Sequence, residues 1–211
     1  MGKFRQKYYD YFSRIYDRFV ALHSSDRQGE LRKFLSEKTG AQGGDKLLDI
    51  CTGTASLLKH LKERTGDGGV VVGADFSRGM LHVAKGKTAG LDRVFLVRAD
   101  ASRLPFKGKM FDAVTCAHAF YELKGPSQDK CLKEVGRVLK PGHPFLMLEH
   151  DVPQNPFVRM LFYLRLLTMG TSRAFDILRR EKELLARYFG IVDKITTPTG
   201  RSKIMICRNR R

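Results

Sequence analysis

From residue 46 onward the chain alternates short apolar runs with longer stretches whose apolar residues recur at helical spacing. The runs are KLLDI, VVVGAD, VFLVRAD, FDAVTCAH and HPFLMLEH. Short apolar runs of this kind read as buried strands, and the amphipathic stretches between them as covering helices. The pattern therefore predicts a parallel sheet with helices on both faces. Near the end, GIVDKI and SKIMICR are separated only by the turn-rich TTPTGR, which predicts an antiparallel hairpin on the edge of the sheet. Before residue 46, residues 4–22 and 27–38 carry aromatic and aliphatic residues at helix-like spacing. Ser77 stands where it can cap the helix after the second strand, and LKPG puts Pro141 and Gly142 just past a helix over 127–139.

Three consecutive predicted strands end in aspartate, at Asp49, Asp75 and Asp100. Any one alone could be a turn or cap residue. Spaced by one strand-helix unit each, all three fall on the carboxyl edge of the sheet, where open α/β sheets bind ligands. Asp75 can accept both hydroxyls of a ribose, with Phe76 beside it. Asp100 can accept from an adenine amino group, with the Ala101 N–H reaching the ring. Asp49 stands at the mouth of the loop CTGTAS, where a carboxylate repels a pyrophosphate and attracts a cation. That loop has one glycine, Gly53, rather than a glycine array, and its small neighbours Cys51 and Ala55 allow close backbone approach. A nucleoside with a positively charged tail fits this set, and S-adenosyl-L-methionine is such a molecule. A nicotinamide dinucleotide is disfavoured by the missing G-x-G-x-x-G array.

Composition narrows the picture in three ways. Hydrophobic residues make up 42% of the 211 and charged residues 29%, as in a globular domain, and no apolar stretch is long enough to span a bilayer. The start, MGKFRQKYYDYF, lacks the apolar centre of a secretory signal. Four scattered cysteines without C-x-x-C spacing read as reduced thiols in a cytoplasmic protein and give no metal site. The net charge of +17 fits an anionic partner, either nucleic acid or an anionic membrane surface.

The segments LLDICTGTASL, VVGADFSRGML, ADASRLPFKGKMFDAVTCA, EVGRVLKPG and LMLEHDVPQNP resemble the ubiquinone/menaquinone biosynthesis C-methyltransferases, the UbiE-like class I methyltransferases, in order and spacing from about residue 8 to residue 207. The resemblance implies a Rossmann-like, mostly parallel sheet of seven strands with a reversed last strand. It also implies contact of Asp49, Gly53, Asp75 and Asp100 with S-adenosylmethionine, and a place beside the cofactor for Tyr16. Ala117, at the end of the fourth strand, joins that set. The chain then divides into a helical cap (1–40), a cofactor-binding core (45–150), acceptor-side helices (151–188) and a terminal hairpin (189–211). Where the quinone enzymes read A-F-G-L-R-N after the fourth strand, this chain has Tyr121 and Glu122 at the arginine and asparagine positions, which makes both candidates for acceptor contact.

Methyl transfer from a sulfonium is an in-line displacement that needs alignment and a dry site, with a base only when the acceptor must lose a proton. Candidates for that base lie at the strand ends, His118 first and His150 second. PFVRMLFYLRLLTM, residues 156–169, is apolar on nearly every face and is broken by Arg159 and Arg165. It reads as a lid helix, or as a surface that admits a lipid-like acceptor with Arg159 meeting a phosphate. The leading expectation is a methyltransferase for a small hydrophobic or lipid-like acceptor, such as a quinone precursor or a phospholipid. The alternative is an RNA-modifying or RNA-binding protein that uses the basic surface. The oligomeric state and the atom methylated stay open.

Overall fold

The computed structural model describes residues 29–123, 125–151, 160, 181–198, 200 and 202–209. The helices expected over 4–22 and nearly all of the segment 151–188 that precedes residue 181 lie outside the described residues, as do Tyr16 and Arg159.

Helix α1 (Glu30–Lys38) leads into β1 (Lys46–Ile50), α2 (Leu58–Thr65), β2 (Val70–Asp75), α3 (Arg78–Lys87) and β3 (Val94–Arg98). Then come β4 (Ala113–Ala117), a 3₁₀ turn (Phe120–Glu122), α4 (Pro126–Val138), β5 (Pro144–His150), a helical segment over 181–186, β6 (Ile191–Thr196) and β7 (Ser202–Arg208). The seven strands form one sheet in the order β3-β2-β1-β4-β5-β7-β6. All pairings are parallel except the two made by β7, which runs antiparallel to β5 and β6. This is the mostly parallel sheet with a reversed last strand that the sequence predicts. The hairpin is not simply appended, however: β7 lies between β5 and β6, and β6 forms the edge.

Burial explains that order. β5 and β7 are buried at six of seven positions each, so both faces of these strands are covered. β6 and β3 have no fully buried position and occupy the two edges. Along the interior strands, side chains alternate between two apolar clusters. Leu48, Ile50, Val114, Cys116, Phe145 and Met147 meet Cys131, Leu132 and Val135 of α4 on one face. Leu47, Val71, Ala113, Leu146 and Ile204 meet Leu31 and Leu35 of α1 and Leu58 and Leu61 of α2 on the other.

Local signals hold as expected. The Ser77 hydroxyl accepts from Met80 N at 3.2 Å and caps α3. Pro126 opens α4, where its missing N–H costs nothing, and Gly142 turns the chain with φ of 77° after that helix ends. The order reverses between β1 and β4, so the crevice at the carboxyl ends of these two strands is the place where such a sheet takes a ligand.

Candidate functional site

Asp49 is the penultimate residue of β1 and is 2% exposed. Its Oδ2 accepts from Thr52 Oγ1 at 2.6 Å and its Oδ1 from Thr115 Oγ1 at 2.7 Å. Burial pushes its pKa up to about 6, opposed by the two hydroxyls and by the charge of Arg32. A carboxylate held here against its desolvation is stabilised by a cation placed beside it.

The loop after β1 turns through three left-handed residues, Cys51 (φ 53°), Gly53 (φ 56°) and Ala55 (φ 62°). The sequence points to Gly53 as the special conformation. That Cys51 and Ala55 share it is a finding, since each costs a non-glycine residue about 1–2 kcal/mol. Packing offsets this, because Ala55 is 3% exposed and Cys51 lies against the core. The loop is tied across the crevice. Thr52 N donates to Ala74 O at 3.0 Å, and Gly53 N donates to Asp75 Oδ2 at 2.9 Å. Asp75 closes β2, and its Oδ1 accepts from Ser77 N at 2.8 Å. Gly73, two residues earlier, permits the loop to come this close: a Cβ there would lie 2.7 Å from Leu58 Cδ1 and 3.0 Å from Thr52 Cγ2.

Asp100 lies two residues beyond β3 rather than at its end. Its Oδ1 accepts from Ser102 N at 2.9 Å and from Ser102 Oγ at 2.8 Å. Its Oδ2 takes no hydrogen bond among the described residues. Phe76 follows Asp75, half-buried, with its carbonyl accepting from Arg98 Nε at 3.2 Å. Ala101 is buried and Ala117, the last residue of β4, is half-buried. The strands thus bring the cofactor candidates Asp49, Cys51, Gly53, Ala55, Asp75, Phe76, Asp100, Ala101 and Ala117 to one edge of the sheet.

These residues fit S-adenosylmethionine. Asp49 offers an anion to the ammonium and sulfonium side. A carboxylate oxygen can accept more than one hydrogen bond, so Asp75 can hold the loop and a ribose together. Asp100 keeps an acceptor oxygen for an amino group.

The candidate acceptor side begins at His118, directly after β4. Its φ is 52°, and its N–H donates to Leu148 O at 2.8 Å. Both ring nitrogens are buried, and neither has a hydrogen-bond partner among the described residues. Burial, then the neighbouring His150 and Arg32, push its pKa down to about 3. His150, the exposed last residue of β5, stacks on it with ring centroids 4.7 Å apart and a 32° tilt. The two candidate histidines therefore form a pair. Of the acceptor candidates, Tyr121 turns inward and donates to Glu181 Oε1 at 2.5 Å, whereas Glu122 is exposed.

Three charged residues that the sequence reading passed over complete this side. Glu149, Glu181 and Lys203 are 2%, 4% and 3% exposed. Lys203 Nζ pairs with Glu181 Oε2, and Glu149 Oε1 accepts from Phe120 N at 2.9 Å. Burial raises the Glu149 pKa to about 8. A charge inside an otherwise apolar strand, as in HPFLMLEH and SKIMICR, was the available signal. Glu181 gave none, because it follows two arginines in a charged run.

Comparison with known proteins agrees with this geometry. The ubiE/COQ5 methyltransferase family model matches residues 3–170. A demethylmenaquinone methyltransferase of Staphylococcus epidermidis is 36% identical over 187 residues, which is 87% of this chain and 77% of that protein. One from Staphylococcus aureus is 38% identical over 152 residues, 72% of this chain and 62% of that protein. A SAM-dependent methyltransferase from Aquifex aeolicus superimposes with a TM-score of 0.64 at 21% identity, over 83% of this chain and 88% of that one. The sheet, the carboxylates at its carboxyl edge and these similarities together show that the chain belongs to the ubiE/COQ5 methyltransferase family and is an S-adenosylmethionine-dependent methyltransferase.

Proposed function

We propose that the methyl acceptor is a hydrophobic hydroxyaromatic compound of the quinone-precursor class, bound between the cofactor and the His118–His150 pair. The observation that carries this reading is His118: among the described residues its buried imidazole has no hydrogen-bond partner, which is costly unless a ligand supplies one. The names of the similar staphylococcal proteins point to the same acceptor class.

In this reading Tyr16, Asp49, Cys51, Gly53, Ala55, Asp75, Phe76, Asp100, Ala101 and Ala117 hold the cofactor. When bound, it supplies a methyl group on a positively charged sulfur. Positive charge disappears as the methyl leaves, so a site as buried as that of His118 favours the transfer. His118 and His150 are the catalytic pair. His118 stays uncharged at neutral pH and hydrogen-bonds the acceptor hydroxyl, which fixes the ring carbon in line with the methyl group. His150, at the exposed end of the stack, takes part in moving the hydroxyl proton outward. Tyr121, Glu122 and Arg159 form the acceptor side. The enzyme works in the cytoplasm against an anionic membrane surface, where a lipophilic acceptor resides. The basic surface serves that contact rather than RNA.

The test is methylation of a dithionite-reduced 2-prenyl-1,4-naphthoquinone with isotopically labelled S-adenosylmethionine. Carbon-methylated product is expected, and His118→Ala should lower kcat by about 10²-fold while cofactor affinity holds. Methylation of an RNA transcript at physiological salt, without methylation of the aromatic compound, would refute the reading.

A further inference from the structure

We propose that Tyr121 is a specificity-determining residue whose hydroxyl oxygen accepts a hydrogen bond from a hydroxyl of the methyl acceptor, and that Glu181 and Lys203 are positioning residues that fix it in this polarity. The proposal rests on the hydroxyaromatic acceptor described above.

A phenol has one proton to donate. In Tyr121 that proton is committed to Glu181 Oε1 at 2.5 Å. Glu181 is held in place by Lys203, which pairs with its other oxygen. Burial, followed by the charge of Glu181 and then that of Glu149, raises the phenol pKa well above its ordinary range, so the proton stays on the tyrosine. With its donor used, the Tyr121 oxygen can only accept. A ligand that meets it must bring an O–H or N–H.

Placement supports the same conclusion. Tyr121 lies in the 3₁₀ turn, three residues past His118. Of the four residues in the network, Glu149, Glu181 and Lys203 are fully buried and Tyr121 is half-buried, so Tyr121 is the member that a ligand can approach. Glu149 and Lys203 are partners across the β5–β7 register, and Glu149 fixes the backbone of the turn through Phe120 N. Burying an ion pair and a second carboxyl group is costly, and apolar replacements often do as well for stability. The next pair in the same register, Leu148 and Ile204, shows that the sheet accepts apolar residues here. The charges are explained by what they do to Tyr121.

The polarity selects between two forms of one ring. A hydroxyl meets the Tyr121 oxygen as a donor. An alkylated oxygen brings only lone pairs and leaves the site mismatched.

Calorimetry of 1,4-dihydroxynaphthalene and 1,4-dimethoxynaphthalene, each with S-adenosylhomocysteine present, tests this. The wild type is expected to prefer the dihydroxy compound by about tenfold or more. In Tyr121→Phe the preference should fall by at least about threefold from the wild-type ratio, while S-adenosylhomocysteine affinity is unchanged. Glu181→Gln should also narrow the ratio, because an amide can donate to the phenol and release its proton. Tyr121→Phe is the deciding variant, since it leaves the Glu181–Lys203 pair intact. An unchanged ratio in Tyr121→Phe overturns the proposal, as does a wild type with no preference. If the wild type fails to methylate the reduced prenyl naphthoquinone yet shows a Tyr121-dependent ratio, the acceptor reading fails and this one stands. If it methylates that compound with a Tyr121-independent ratio, the reverse holds.

Discussion

The carboxylate of Asp75 accepts a hydrogen bond from the backbone of Gly53 at 2.9 Å, so the end of the second strand holds the loop that follows the first. If Asp75 also holds the cofactor ribose, ligand binding and loop shape depend on one side chain. Asp75→Ala should weaken S-adenosylmethionine binding at least tenfold, from roughly 1.5–3 kcal/mol per charge-assisted hydrogen bond lost. It should also lower the melting temperature of the ligand-free protein, because Gly53 N and Ser77 N lose their buried acceptor. Calorimetry and thermal unfolding measure the two effects. A weakened affinity with unchanged melting would show that the carboxylate serves the ligand alone.

Asp49 is expected to make cofactor binding depend on pH. Its pKa near 6 means that the anion dominates at pH 7.5 and the neutral acid at pH 5. If the anion attracts the cationic side of the cofactor, affinity falls as pH drops through about 6, by about tenfold at one unit below. Asp49→Asn should bind weakly with a flat profile. Stability of the ligand-free fold moves the other way. A carboxyl whose folded pKa is raised contributes stability present below its ordinary 3.8 and lost as pH rises through about 6. S-adenosylmethionine should therefore raise the melting temperature more at pH 7.5 than at pH 5.

Glu149 gives an alkaline signature. Its pKa is raised from 4.5 to about 8, first by burial and then by Glu181, against hydrogen bonds from the Phe120 and Tyr121 backbone. Its contribution to stability is complete below pH 4.5 and lost as pH rises through about 8. Melting temperature should drop between pH 6 and pH 9 in the wild type and drop less in Glu149→Gln, which keeps an oxygen for Phe120 N. Parallel curves for the two proteins would show that Glu149 is not the titrating group.

The sequence revealed the strands because their apolar runs are short and separated by helical periodicity. It revealed Asp49, Asp75 and Asp100 because their spacing follows the strand-helix unit. Strand order was harder. Periodicity says which residues are buried, not which strand is the neighbour, and β7 between β5 and β6 became visible only in the sheet. In retrospect the unbroken apolar run IMIC against the mixed IVDKIT distinguishes an interior strand from an edge. The His118–His150 stack joins residues 32 positions apart, and the Tyr121–Glu181–Lys203 chain joins three elements. No local pattern encodes such contacts.

The basic surface leads to a prediction about membranes. A net charge of +17 and the apolar segment 156–169, which apart from Met160 lies outside the described residues, favour vesicles containing anionic lipid. Sedimentation with phosphatidylglycerol vesicles should show binding at low salt that fades as salt is raised, since exposed charges are screened within about 8–10 Å at physiological ionic strength. Absence of binding at low salt would remove the membrane from the proposal.

The reversal of β7 fixes which side of the molecule can be held without obstructing it. Ser202 pairs with His150 at the ligand-binding edge, and Arg208 pairs with Pro144 at the opposite one. A dye or affinity handle attached at Asn209 therefore emerges at the opposite edge of the sheet from Asp49 and His118. A chain immobilised through that residue on a sensor surface faces solution with its cofactor crevice outward, the orientation needed to capture a soluble ligand or an intact liposome.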